Sequence, residues 1–372
     1  MTFALELYRA LARTPGNLFC SPYSVEAALA MVTAGSAGHT RDQLAAVLGD
    51  DPVVVRHEAR PRSLANQPAR SPVAVAMARY LPRPQPGATL AMANAMWHQR
   101  GYRIHESFVV AIRDRLAAEV RDVDFAGDPG GAVKVINAWA ARATRDKIVN
   151  VLAEVAPETR VILANAIYFK AMWDRPFEPH NTRQRGFTTG AGQNVRVPTM
   201  SHTGSFRYAA LSAIEAIELP YRGNQTAMLV VVPPLDQLTS LERVLDFDRI
   251  ASALTTSLVE VQLPRFSIES AFGLRDALEG LGLADLFSGR GDFSSMTTEP
   301  GFAIDEVVHK TYVDVDEEGT EAAAVTGAMM RGATMRQRPE PIKLHIDRPF
   351  IFAIRDIATH TNLFIGRVED PR

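Results

Sequence analysis

Apolar positions recur at helical spacing in the opening residues, where Phe3, Leu7, Ala10 and Leu11 share one face of a helix that Thr14-Pro15-Gly16 stops. Ser21-Pro22 reads as an N-cap followed by proline at the first helical position, opening a second helix that runs to about Gly35. Further helices are predicted near residues 106–118 and 131–147. Residues 161–169 form a largely apolar segment, and 227–232 follow the turn signal Gly223-Asn224. In 258–263, Val259, Val261 and Leu263 alternate with Glu260 and Gln262, and 311–316 alternates in the same way, so all four segments read as strands. Helices and strands do not alternate regularly and no repeat of fixed period is found. That favours an α+β fold with antiparallel sheets over a doubly wound parallel sheet.

Pro52, Pro61, Pro68, Pro72, Pro82, Pro84 and Pro86 punctuate residues 50–87 around a short helical island at 73–81, which predicts the least ordered part of the chain. Of 372 residues, 47% are hydrophobic and 22% charged, the balance of a folded protein with a large core. The net charge is -2, and only five of the 40 basic residues are lysines. The arginines are scattered among carboxylates without a basic run or interleaved aromatics, which argues against a nucleic-acid partner. The single cysteine, Cys20, excludes an intramolecular disulfide and a cysteine-based zinc site, and its apolar surroundings suit a buried small hydrophobe. The run 228–232 is cut by Pro233 and Pro234, far short of a membrane span, so a soluble chain with no membrane partner is expected. The first residues carry no cationic segment or cleavage site. The sequence as written therefore lacks a secretion address, and extracellular and cytoplasmic locations both stay open.

Catalytic signatures are missing. Ala34-Gly35-Ser36-Ala37-Gly38 lacks the first glycine of a nucleophile elbow, and His57-Glu58 and His105-Glu106 lack the second histidine of a zinc-protease helix. Gly190-Ala191-Gly192 lacks the third glycine of a dinucleotide fingerprint, and no P-loop is present. Arg290-Gly291-Asp292 and Asn224-Gln225-Thr226 spell short motifs that chance supplies readily. Neither an enzyme nor a cofactor or metal site is expected.

The unusual segment is 317–338, with few bulky apolar anchors before Pro339-Glu340-Pro341. Connections longer than about 12 to 15 residues are uncommon and usually functional or disordered. Gly319, Gly327 and Gly332 serve a helix poorly. Read as a strand from Thr320, the segment sends Thr320, Ala322, Ala324 and Thr326 to one face and Glu321, Ala323 and Val325 to the other. The first face is small and neutral. It could slide between strands over a packed core, where a large or charged residue would clash or be stranded without solvent.

Glu317-Glu318-Gly319-Thr320-Glu321-Ala322-Ala323-Ala324 resembles the hinge of inhibitory serpins, the bacterial members included, and similar stretches occur in the family's order along nearly the whole chain. Asn17-Leu18-Phe19-Cys20-Ser21-Pro22-Tyr23-Ser24 resembles the start of the family's helix B. Residues 163–170 with Trp173 and Pro176-Phe177 resemble the third strand of its large sheet, and Val308-His309-Lys310 the fifth. Arg348-Pro349-Phe350-Ile351-Phe352 and Leu363-Phe364-Ile365-Gly366 resemble its C-terminal strands.

The resemblance implies one serpin domain over 1–372 with three antiparallel or mixed sheets, about eight or nine helices and an exposed reactive-centre loop at 317–341. It implies a monomeric suicide inhibitor of a serine endopeptidase, whose cleaved loop inserts as an extra strand and traps the acyl-enzyme. A strand over 320–333 spans roughly 45 Å. Its new ladder bonds, at about 1 kcal/mol each, would add on the order of 10 kcal/mol. The hinge is placed at Glu317, Glu318, Gly319, Thr320, Glu321, Ala322, Ala323, Ala324, Val325 and Thr326. The shutter falls on Ser21, Ser24, Asn165 and His309, and the breach on Trp173, Arg265 and Glu317. Counting the family's usual 16 positions from Glu317 puts the scissile bond between Ala333 and Thr334, which suits an elastase- or subtilisin-like target. Arg331 and Arg336 would suit a trypsin-like enzyme, and Met330 and Met335 a chymotrypsin-like one. The prolines at 50–87 fall where the family carries two helices, so no heparin-type cofactor is expected. The alternative function is a non-inhibitory serpin-like binding or scaffold protein whose loop is cleaved without trapping.

Overall fold

A computed structural model of the chain describes residues 2–49, 88–116, 118–320 and 340–372. In chain order the elements are α1 (Phe3–Leu11), β1 (Leu18–Cys20), α2 (Pro22–Gly35), α3 (Gly38–Leu48), β2 (Ala88–Gln99), α4 (Glu106–Leu116), β3 (Glu119–Val123), α5 (Pro129–Ala143) and β4 (Val161–Met172). There follow β5 (Arg183–Thr188), β6 (Asn194–Leu211), β7 (Ile214–Pro220), β8 (Thr226–Val232), α6 (Leu238–Val244), α7 (Phe247–Ala253), β9 (Thr255–Pro264) and β10 (Phe266–Gly273). The last are α8 (Arg275–Leu278), β11 (Glu306–Val315), β12 (Gly319–Thr320), β13 (Ile342–His345), β14 (Phe350–Asp356) and β15 (Asn362–Val368). The expected island at 73–81 lies outside the described residues.

Ser21 caps α2 as its sequence predicts, accepting from the Ser24 N–H at 3.2 Å. The helix expected at 131–147 instead starts at Pro129 and stops at Ala143. Asp128 accepts from the Gly131 N–H and caps it, while Arg145 and Asp146 adopt positive φ and break it. The strand expected at 161–169 continues to Met172, and the one expected at 311–316 starts five residues earlier, at Glu306.

The strands pair into two networks among the described residues. One has six strands in the order β10-β11-β12-β4-β2-β3; the other has nine, β1-β15-β14-β8-β7-β6-β9-β13 with β5 added to β6. Two of the three expected sheets are joined here, because the 18-residue β6 pairs with β5 and β9 along its first part and with β7 and β9 along its second. The helix α2 is apolar nearly all round and buried, so it lies between sheets rather than on a surface. The main core includes Val25, Leu29 and Val32 of α2, Leu163 and Ile167 of β4, and Phe352 and Phe364 of the larger sheet. The outer face of the six-stranded sheet is covered by α5 and the segment after it, with Ile162, Ala164, Ala166 and Val308 against Ile136, Trp139, Val151 and Leu152. Thus β4 is buried on both faces, which explains why 161–169 is apolar at every position except Asn165.

Candidate functional site

The six-stranded sheet is forked. Strands β4 and β11 pair directly and in parallel from Ile162/Glu306 to Tyr168/Tyr312. Above that point they part, and β12 sits between them, pairing antiparallel with both: Thr320 lies opposite Val315 on one side and Ala171 on the other. Gly319 allows this close entry. A Cβ at that position would lie 2.1 Å from the Ala171 carbonyl oxygen and 2.6 Å from the Met172 Cα, backbone atoms that cannot give way. Thr320 is fully buried, its hydroxyl 2.8 Å from that of Tyr221.

The turn that delivers β12 is fastened at several points. The Asp316 carboxylate accepts from the Glu318 and Gly319 N–H groups, at 2.9 and 3.1 Å. The Trp173 indole donates to the Asp316 carbonyl at 3.0 Å, and the Trp173 N–H to the Glu318 carbonyl at 2.9 Å. The Phe177 N–H donates to the Glu317 carbonyl at 2.8 Å. Glu317 is buried; its carboxylate accepts from Arg265 Nε at 2.9 Å and from one of the Arg265 terminal nitrogens at 2.5 Å, and also from the Thr182 hydroxyl. Burial alone would raise the Glu317 pKa, but the hydrogen bonds from Arg265 and Thr182 outweigh it and hold the carboxyl below its ordinary value. The three residues expected at the breach are therefore brought together.

A second polar cluster lies lower in the fork. Asn165 is in register with His309 on one side and with Asn94 of β2 on the other, so three neighbouring strands carry polar side chains on one rung. The Asn165 amide nitrogen donates to Asn94 Oδ1 at 2.5 Å and to the Ser24 carbonyl at 3.2 Å, and it also contacts the Ser24 hydroxyl. His309 Nδ1 lies 2.5 Å from Asn165 Oδ1, and His309 Nε2 accepts from the Ser21 N–H at 3.0 Å. Because Nε2 accepts, the proton of the neutral ring belongs on Nδ1. Ser21 donates its hydroxyl to the Leu363 carbonyl at 2.7 Å, tying the cluster to β15. All four residues expected at the shutter meet here, and all are buried.

Burial pushes the His309 pKa down to about 3. An unfolded histidine titrates near about 6.5, so the unfolded chain takes up a proton that the folded one refuses. Folded stability should fall by up to about 1.4 kcal/mol per pH unit as the pH drops from about 6.5 toward 3. His309→Gln should remove this component: its urea midpoint should fall less between pH 7 and pH 5 than that of the parent. Equal falls would contradict a buried neutral ring.

The family model described as Serpin (serine protease inhibitor) matches residues 1–371. The chain belongs to the serpin family. A serpin-like protein of Thermococcus kodakarensis is 34% identical, covering 100% of this chain and 84% of its own length. The leukocyte elastase inhibitor of Bos taurus is 33% identical, covering 99% and 97%. Among solved structures, Serpin48 of Tenebrio molitor superposes with a TM-score of 0.84 at 30% identity, covering 99% of this chain and 96% of that one. The eight α-helices among the described residues and the mixed sheets agree with the serpin fold expected from sequence.

Of the serpin hinge expected at 317–326, Glu317, Glu318, Gly319 and Thr320 are placed as above, while Glu321, Ala322, Ala323, Ala324, Val325 and Thr326 lie outside the described residues. So do Ala333, Thr334, Arg331, Arg336, Met330 and Met335. Sequence reasoning overlooked Asn94, Thr182, Asp316 and Tyr221. Asn94 had a signal, being a polar residue inside the apolar run 90–97. Tyr221 and Thr182 had none, because they reach the fork from segments far away in sequence. Among the described residues no group of His, Cys, Asp and Glu is arranged to hold a metal, and no helix is long and apolar enough to cross a membrane.

Proposed function

We propose that this serpin is a stoichiometric inhibitor of a serine endopeptidase, which it traps as an acyl-enzyme when the cleaved loop enters the fork between β4 and β11. The observation that carries this reading is the seating of β12, a strand of two residues already hydrogen-bonded on both sides at the mouth of the fork. If the inserted loop keeps that register, Thr326 would reach the rung of Asn165 and His309, six residues below Thr320 on all three strands. Thr326 shares the small face with Thr320, so its hydroxyl would arrive where the Asn165–His309 hydrogen bond must open. Ser21, Ser24, Asn165 and His309 then act as the shutter, and Trp173, Arg265 and Glu317 as the breach.

The loop comprises 317–341, and Ala333–Thr334 is the bond attacked. A methyl side chain fits a shallow specificity pocket, so the partner is an elastase- or subtilisin-like enzyme, and the likeness to the bovine leukocyte elastase inhibitor agrees with that choice. The protein acts as a monomer and as a single domain. Incubation with elastase at rising molar ratio tests the proposal. It predicts activity falling to zero near equimolar inhibitor, with an SDS-stable complex; cleavage of the loop with protease activity intact would instead support the non-inhibitory reading.

The breach pair supplies a further prediction. Glu317→Arg sets a second guanidinium against the Arg265 side chain that Glu317 now pairs, so the latch that closes the top of the sheet should open and conversion to an inactive, heat-resistant form by spontaneous insertion should accelerate. Combining it with Arg265→Glu should restore the parent rate. A double variant as unstable as the single one would remove the pairing from the account.

A further inference from the structure

Tyr221 stands at the head of the fork, and nothing in the hinge sequence points to it. It is fully buried between aromatic rings: Trp173 stacks on it with centroids 4.6 Å apart and planes at 6°, and Phe169 meets it edge-on at 5.2 Å. Its backbone is fixed independently of the hinge. The Tyr221 N–H donates to the Thr226 carbonyl at 3.0 Å, its carbonyl accepts from the Asn224 N–H at 2.9 Å, and the next residue, Arg222, donates to the Met172 carbonyl at 2.8 Å. The ring is thus a rigid part of the sheet end, and its hydroxyl is presented toward the gap that β12 occupies.

Only one contact joins this hydroxyl to the hinge among the hydrogen bonds of the described residues, the 2.8 Å bond to Thr320 Oγ1. Both partners are fully buried, so removing either hydroxyl leaves the other without solvent or a partner. The small face needs no hydroxyl for reasons of size, since Ala322 and Ala324 belong to it as well.

We propose that Tyr221 is a positioning residue for loop insertion, a fixed receptor that selects a hydroxyl at position 320 and keeps the first rung of the inserting strand docked before any protease arrives. The proposal rests on the inhibitory reading for its consequence, not for the contact itself. After cleavage, insertion competes with hydrolysis of the acyl-enzyme. A strand whose first rung is formed need only be extended, whereas an undocked strand must first be threaded into the fork. Losing the receptor bond should therefore slow insertion and raise the number of inhibitor molecules consumed per protease.

The test uses the full chain in four variants, Tyr221→Phe, Thr320→Val, Thr320→Ser and the double Tyr221→Phe/Thr320→Val. Hydrogen exchange of the peptide spanning 313–320 reads docking, and titration against elastase reads the inhibitor consumed. Tyr221→Phe keeps the stacked ring, and a thermal midpoint checks that the fold survives. Tyr221→Phe and Thr320→Val should each speed exchange of the hinge amides about three- to ten-fold, the weight of one hydrogen bond, and raise inhibitor consumption in the same order. Thr320→Ser should match the parent, and the double variant should be milder than either single one because no polar atom is left stranded. Exchange unchanged in Tyr221→Phe, a Thr320→Ser variant as poor as Thr320→Val, or additive single effects would each overturn the receptor role. If the parent traps no protease, the inhibitory reading fails, while the exchange arm still decides whether Tyr221 docks the hinge.

Discussion

Thr320→Arg is expected to turn the proposed inhibitor into a substrate. Thr320 is fully buried between Val315 and Ala171, and its face looks into the main core rather than toward solvent. The Glu317 carboxylate already serves Arg265, so a guanidinium on that rung stays unpaired, and an unpaired buried charge costs several kcal/mol. Before cleavage the damage is modest, because the hinge can swing out and leave the introduced guanidinium in water with the rest of the sheet intact. After cleavage the arginine must be buried before Ala322, Ala324 and Thr326 can follow. A barrier raised by about 3 kcal/mol slows insertion by more than about a hundred-fold, so hydrolysis of the acyl-enzyme wins. The variant should be cut at the same bond as the parent, release its fragments and leave the protease active. Stoichiometric inhibition by Thr320→Arg would mean that the buried rung is not the start of insertion.

The second large effect concerns the target. Ala333→Arg should abolish trapping of elastase and create trapping of trypsin, with the hinge and fork untouched. A shallow pocket that accepts a methyl group rejects a guanidinium, whereas a deep anionic pocket gains a charge-assisted contact from it. Pocket exchanges of this kind change specificity by orders of magnitude, since the difference includes a buried charge left paired or unpaired. The measurement is the rate of complex formation with each enzyme. If the parent already traps trypsin and Ala333→Arg changes nothing, the bond lies beside Arg331 or Arg336 instead.

Much of the fork was legible in the sequence because its chemistry is unusual for its surroundings. Ser21-Pro22 announces a capped helix and Asn165 is a polar residue in an otherwise apolar stretch, which burial permits only when hydrogen bonds are supplied; His309, flanked by Lys310 and Thr311, is singled out by the family resemblance alone. Within the described part of the segment from Glu317 onward, Gly319 and the small Thr320 suit β12 to its seat between β4 and β11. Long-range pairing was not legible. Strand β4 is apolar on both faces, so periodicity alone could not tell which side Asn165 faces, and the parallel pairing of β4 with β11 joins residues about 140 positions apart. The early stop of α5 depended on two positive-φ residues, Arg145 and Asp146, neither of which is a glycine that would have signalled it. Tyr221 follows Pro220 at the end of β7 and reads as an ordinary turn residue until the fold sets it over Thr320.

In the proposed mechanism, cleavage of the loop leads to trapping by insertion. It is tested most directly by mixing the serpin with elastase at equal molarity, resolving the products in SDS and sequencing the new N-terminus. One covalent complex, no residual protease activity and a released fragment that begins at Thr334 are expected. A loop cut to completion beside fully active, uncomplexed elastase would contradict it.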